Sequence, residues 1–177
     1  MATLLVGLGN PGDNFKNTRH NAGFCFVDRL ADSLGITSWK SQFEGVVSAC
    51  QDGKLGALIL LKPQTMMNLS GRSVISVLNY FKLTVHNLIV AHDDLDVSIG
   101  QIKIKRQGSH GGHNGLRSIH QLVSSDEYRR LRIGIGRPAD KDMVRAYVLS
   151  EFSRSEQTLL TNAIDAAIMT LPQTVFD

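Results

Sequence analysis

Runs of Leu, Ile and Val at residues 4–8, 57–61, 88–91 and 131–136 alternate along this chain with stretches whose apolar residues recur at helical spacing. A strand that is apolar at nearly every position is buried on both faces, so the alternation specifies an α/β domain in which helices cover a sheet. Phe26, Val27, Leu30, Ala31 and Leu34 keep the helical period over 22–34, and Gly35 is placed to cap it. Residues 71–82 carry Val74, Val77, Leu78 and Phe81 on one face, with Ser70 positioned as N-cap. Further helices are predicted over 116–123 and from Asp140, where Met143, Val144, Tyr147 and Val148 share a face. The last helix opens on Ser153 and Glu156 at capping-box spacing and is expected to bury Leu159, Leu160, Ala163, Ile164, Ala167 and Ile168. Residues 45–49 read as one more strand. Residues 101–106 alternate strictly, which predicts a strand burying Ile102 and Ile104 and presenting the amines of Lys103 and Lys105. No repeat or linker interrupts the pattern, and residues 1–177 read as a single domain.

Composition narrows the function classes. The 177 residues hold 19 basic and 16 acidic side chains, a net charge of +3 that permits a polyanionic partner without requiring one. Cys25 and Cys50 sit in apolar surroundings and no charged leader precedes a long apolar run, which argues against a disulfide scaffold and points to a reduced, cytoplasmic protein. No window approaches the roughly 18 apolar residues of a membrane-spanning helix.

The polar clusters fall at telling positions. Asn10-Pro11-Gly12 follows the first strand, Asn68 follows the 57–61 strand, His92-Asp93-Asp94 follows the next, and the glycine-rich stretch 108–115 follows the lysine strand. In open α/β sheets ligands bind beyond the carboxyl ends of parallel strands, so these clusters are expected to meet. Gly7-Leu8-Gly9-Asn10-Pro11-Gly12 has the glycine spacing of a dinucleotide fingerprint, but residues 13–21 show no helical period and no acidic residue closes a second strand. The Asn-Pro-Gly turn is better read as aiming Asn10. His20 precedes a helix, and a carboxylate from Asp93 or Asp94 at a neighbouring strand end would hold one imidazole nitrogen while the other takes a proton from water. Alternation favours only one of the two acids, and the sequence does not say which.

No serine occupies a nucleophile elbow and neither cysteine has electropositive surroundings, so covalent catalysis is not expected. His110, His113 and Asp93 form an alternative, zinc-like set. Against it, Gly111 and Gly112 in this stretch suit close backbone approach to a ligand. Lys103 and Lys105, about 6.6 Å apart along one strand face, together with Arg106, Arg117, Arg129, Arg130 and Arg132, suggest a nucleic acid held by its backbone with chemistry at one end. A non-catalytic RNA-binding module is the third reading, weakened by scarce aromatics, one Trp among them.

Taken in order, the motifs VGLGNPG, TRHNAGF around His20, MNLSG around Asn68, AHDDLD around Asp93, GGHNGLRSI around Asn114 and LRIGIGRP from Leu131 resemble the bacterial peptidyl-tRNA hydrolase family over nearly the whole chain. The resemblance implies a single mixed twisted sheet flanked by helices on both faces, in a monomer without metal or cofactor. It implies His20 as general base and Asp93 as its orienting partner. Asn10, Phe15, Met67, Asn68, Gly111, Gly112, His113 and Asn114 would line the substrate site, and Lys103, Lys105 and Arg132 would meet the tRNA. Phe15 stands where the family usually has tyrosine, so a phenolic hydrogen bond is absent there. The chain ends at Asp177, where family members usually continue for a short segment.

Overall fold

The strands that are apolar throughout occupy the middle of the sheet, as burial on both faces demands. In the computed structural model, which describes residues 1–174, β1 (Thr3–Gly7) pairs in parallel with β4 (Gly56–Pro63) on one side and with β5 (Leu88–Asp94) on the other. β5 continues in parallel to β7 (Arg129–Gly134). Antiparallel strands close both edges: β2 (Lys40–Gln42) and β3 (Gly45–Asp52) beyond β4, and β6 (Ile102–Lys105) beyond β7. The order is β2-β3-β4-β1-β5-β7-β6, a mixed seven-stranded α/β sheet.

Two cores form because each parallel strand sends alternate side chains to opposite faces. Leu5, Leu60, Ile89, Leu131 and Ile133 meet α1 (Ala22–Ser33) and α5 (Arg154–Thr174). Leu4, Val6, Ile59, Leu61 and Val90 meet α2 (Ser70–Tyr80) and α3 (Asn114–Val123). The short α4 (Val144–Val148) lies against the first core through Tyr147 and Val148. Among the described residues no helix is long and apolar enough to cross a membrane.

The helix ends follow local chemistry in most places. Gly35 takes φ +68° while its N–H reaches Asp32 O at 3.1 Å and Ile36 N–H reaches Ala31 O at 2.9 Å, the paired bonds of a Schellman ending. Ser153 and Glu156 exchange the two capping-box bonds at 2.9 and 3.2 Å. Ser70 departs from expectation: its hydroxyl donates to Met67 O, because a 3-10 turn (Met67–Leu69) leads straight into α2 and leaves no free helix start to cap. Asp140 accepts Asp142 N–H at 2.9 Å, but the segment begins as a 3-10 turn before α4. Leu159 is 49% exposed, lying on the outer face of α5. Ile104 is 38% exposed, since β6 is an edge strand that α5 covers only in part. The domain reading to residue 177 includes 175–177, which lie outside the described residues.

The glycine spacing that imitates a nucleotide fingerprint has a packing cause. A Cβ on Gly7 would sit 2.2 Å from Gly23 O, and one on Gly9 would strike the Phe24 ring at 2.7 Å. On Gly23 it would meet Ala91 O at 2.3 Å and Leu8 N at 2.4 Å. The first turn of α1 therefore rests directly on the backbone of β1 and β5, which brings the residues just before α1 over the strand ends. Gly23→Ala is expected to destabilise the fold by about 3 kcal/mol, since backbone atoms cannot yield as a flexible side chain would. A urea unfolding midpoint unchanged from the parent would refute this close-packing account.

Candidate active site

Alternation beyond Ala91 settles which acid turns inward. Asp94 points to the α2/α3 face and pairs with Arg132, Oδ2 to Nε at 2.8 Å. Asp93 points to the α1 side, 3% exposed, and both of its oxygens are taken by imidazoles. His20 Nδ1 lies 2.9 Å from Oδ2 and His113 Nε2 lies 2.7 Å from Oδ1.

His20 belongs to a 3-10 turn (Arg19–Asn21) that ends on the tight α1 start. His113 is the N-cap of α3, and its Nδ1 accepts the N–H groups of Gly115 and Leu116 at 3.1 and 3.4 Å. Two N–H donors on Nδ1 require the ring proton on Nε2, so His113 is a neutral imidazole donating to Asp93. The remaining carboxylate oxygen accepts from His20 Nδ1–H. His20 Nε2 is left as the ring's free lone pair, on a side chain 12% exposed that lines the cleft.

Burial opposes charge on His20, but the Asp93 carboxylate, by charge and by hydrogen bond, outweighs it and raises the imidazole above its ordinary 6.5. Burial alone would push the Asp93 carboxyl up. The positive N–H edges of His113 and His20 reverse this and hold it well below the usual carboxylate range. His92 is the opposite case. Burial, the largest influence, pushes it down to about 4 from 6.5, so it stays neutral, with Nδ1 donating to Asp93 O at 2.8 Å.

The cleft encloses about 990 Å³ and is lined by Asn10, His20, Met67, Asn68, Asp93, Gly111, Gly112, His113, Asn114, Lys105 and Arg132 among others. Asn10 and Asn114 present the same chemistry by different means. Asn10 Oδ1 accepts Met67 N–H at 2.7 Å, and Asn21 clamps the Asn10 backbone with two bonds of 2.9 Å. Asn114 Oδ1 accepts Arg117 Nη1 at 2.9 Å. With both carbonyls committed, each side chain has its NH₂ to offer, making the cleft rich in uncharged donors. Phe15 and Lys103 do not line it: Phe15 is half-buried in the turn Asp13–Phe15, and Lys103 is exposed on β6 opposite Arg132. Since β6 runs antiparallel to β7, residues 106–113 must reverse direction to deliver His113 and Asn114 beside Asp93.

A metal trio of His110, His113 and Asp93 does not assemble. His110 Nδ1 accepts Gly112 N–H at 2.9 Å and its ring packs against His120 instead. His20, Asp93 and His113 do bring ligand atoms within 4.8 Å of one another. Ligands of a tetrahedral zinc at about 2.1 Å would stand about 3.4 Å apart, wider than the 2.7 and 2.9 Å contacts here. Ligation through His113 Nε2 would also force a proton onto Nδ1 against two N–H donors. The donor set fits hydrogen bonding better than coordination.

Sequence reasoning did not foresee Asn21 as the clamp on Asn10, Arg117 on Asn114, or the second imidazole on Asp93. Only His113 left a trace in the sequence, as a polar residue just ahead of a helical period.

Residues 4–177 match the family model described as peptidyl-tRNA hydrolase. The chain is 52% identical over 167 residues to the peptidyl-tRNA hydrolase of Geotalea uraniireducens, covering 93% of this chain and 85% of that protein. It is 49% identical over 169 residues to that of Geobacter sp. strain M21, covering 94% and 88%. Among solved structures, peptidyl-tRNA hydrolase from Acinetobacter baumannii superposes with a TM-score of 0.89 at 41% identity, over 97% of this chain and 89% of that one.

A base that must be unprotonated places an acid limb on the rate profile at the raised value of His20. Asp93→Asn removes both influences that raise it and leaves burial, so the limb is expected to move to lower pH. The plateau should fall by about 10²- to 10⁴-fold as the tautomer is lost. A limb that stays in place would dissociate Asp93 from the titrating group.

Proposed function

The chain belongs to the peptidyl-tRNA hydrolase family, and we propose that it works through His20 as general base oriented by Asp93. The reaction is hydrolysis of the ester in peptidyl-tRNA, releasing tRNA and peptide. The observation carrying the residue roles is the 2.9 Å contact from His20 Nδ1 to Asp93 Oδ2, which leaves Nε2 basic at the cleft.

His20 Nε2 takes a proton from a water molecule as its oxygen bonds to the ester carbonyl carbon. Charge building on the carbonyl oxygen is met by the NH₂ groups of Asn10 and Asn114, uncharged donors held in place before the reaction. When the bond from carbon to the ribose oxygen breaks, the imidazolium returns its proton to that oxygen. Asp93 stays ionised throughout and steadies the charged ring. Met67, Asn68, Gly111 and Gly112 complete the peptide and ribose walls, and amide groups that read only backbone suit a peptide of variable sequence. His113 contributes by fixing Asp93 and the α3 start.

Lys103, Lys105 and Arg132 supply the phosphate contacts, flanked by the Arg132–Asp94 pair that sets the guanidinium. Phe15 stands at the entrance to the His20 turn and offers only ring surface. No metal is required in this scheme, and a cytoplasmic monomer accords with free Cys25 and Cys50 and with a site built from one chain.

In single-turnover assays His20→Ala should slow cleavage by about 10²- to 10⁴-fold with tRNA affinity retained. A near-parental rate would remove His20 from the role. Full activity in EDTA is expected, and activity restored only by added zinc would favour the metallohydrolase reading. Lys105→Gln should weaken tRNA binding and lower the slope of log affinity against log salt by about 1. An unchanged slope would take Lys105 out of the interface.

A further inference from the structure

The residue before His20 carries a side chain that the hydrolytic scheme leaves unused. Arg19 is 7% exposed, yet among the described residues it meets only one carboxylate, Glu156, with Nη2 to Oε1 at 2.9 Å. Its Nη1 donates to Ser150 Oγ at 2.8 Å and to Glu151 O at 2.5 Å. The guanidinium plane lies over the rings of Tyr147 at 4.4 Å and Phe152 at 5.4 Å. Backbone bonds run alongside: Arg19 N–H to Ser150 O at 3.0 Å, and a Thr18–Glu151 bridge.

These partners belong to one continuous stretch, from the end of α4 to the first turn of α5. Its earlier part is a wall of the cleft, through Val144, Arg145 and Val148. One planar fork thus grips the residues that follow the wall on one side while its own backbone is the 3-10 turn that holds His20. We propose that Arg19 is a positioning residue for the reaction, tying the α4 wall to His20 so that the base and the surface facing the peptide keep one geometry. A burial cost of this size serves little purpose in a mere surface tether, and a lysine, with a single point charge, cannot hold a hydroxyl, a carbonyl, a carboxylate and two rings at once.

The inference rests on His20 being the base, so His20→Ala is carried in parallel. Arg19→Lys, Glu156→Gln and Tyr147→Leu are measured for single-turnover rate at saturating peptidyl-tRNA, affinity for deacylated tRNA, the acid limb of the rate profile, and Tm. A displacement of His20 by about 1 Å is expected to slow Arg19→Lys by about 10- to 100-fold, with tRNA affinity within twofold. Its acid limb should move to lower pH as the His20–Asp93 bond slackens. Glu156→Gln and Tyr147→Leu should shift the same two readings by smaller amounts, and they decide the matter if Arg19→Lys does not fold. Rates within twofold of the parent and an unmoved acid limb, with only Tm lowered, would reduce Arg19 to a structural strut. An active His20→Ala would instead overturn the base assignment itself.

Discussion

A buried carboxylate held between two imidazoles governs this molecule. Asp93 has surrendered its water, and a lone charge in that position would be expelled by protonation. It persists because each oxygen has an N–H donor of fixed direction, one from the start of α1 and the other from the start of α3. Helices on opposite faces of the sheet therefore converge on a single strand end. Whatever loosens either helix start also loosens the acid, and with it the basicity of His20.

His113 shows how a helix terminus can choose a tautomer. The α3 N–H groups need an acceptor, the imidazole Nδ1 supplies it, and the ring has one nitrogen left to donate. Neutral His92 lies beside it, orphaned at Nε2 and without positive charge at ordinary pH. Burial thus keeps the His92 ring neutral, while the Asp93 carboxylate raises the His20 ring that lines the cleft.

Much of this was legible in the residues. The all-apolar strands, the Gly35 ending and the Ser153–Glu156 box are local signals, and local chemistry decided them. β2 was invisible because Lys40-Ser41-Gln42 has no apolar alternation; it exists by pairing with β3. The expected gathering of polar clusters holds for Asn10, Asn68, Asp93 and residues 109–114 alike, but the last group arrives by a loop that follows an antiparallel strand and not from a parallel strand end. Strand direction is a long-range property that no local pattern reports. The choice between Asp93 and Asp94 likewise needed the register of β5 against β7, and the amide orientations of Asn10 and Asn114 needed partners that only folding supplies.

The placement of β6 has one more consequence. Among the described residues it is the outermost strand, and an outermost strand is where another molecule can extend a sheet through the backbone. Lys103 and Lys105 make that edge self-repelling toward a second copy, and at the far edge β2 is only three residues long and begins with Lys40. The amines suited to gripping a polyanion thereby also guard the protein against aggregation, so neutralising them for the sake of one property would expose the other.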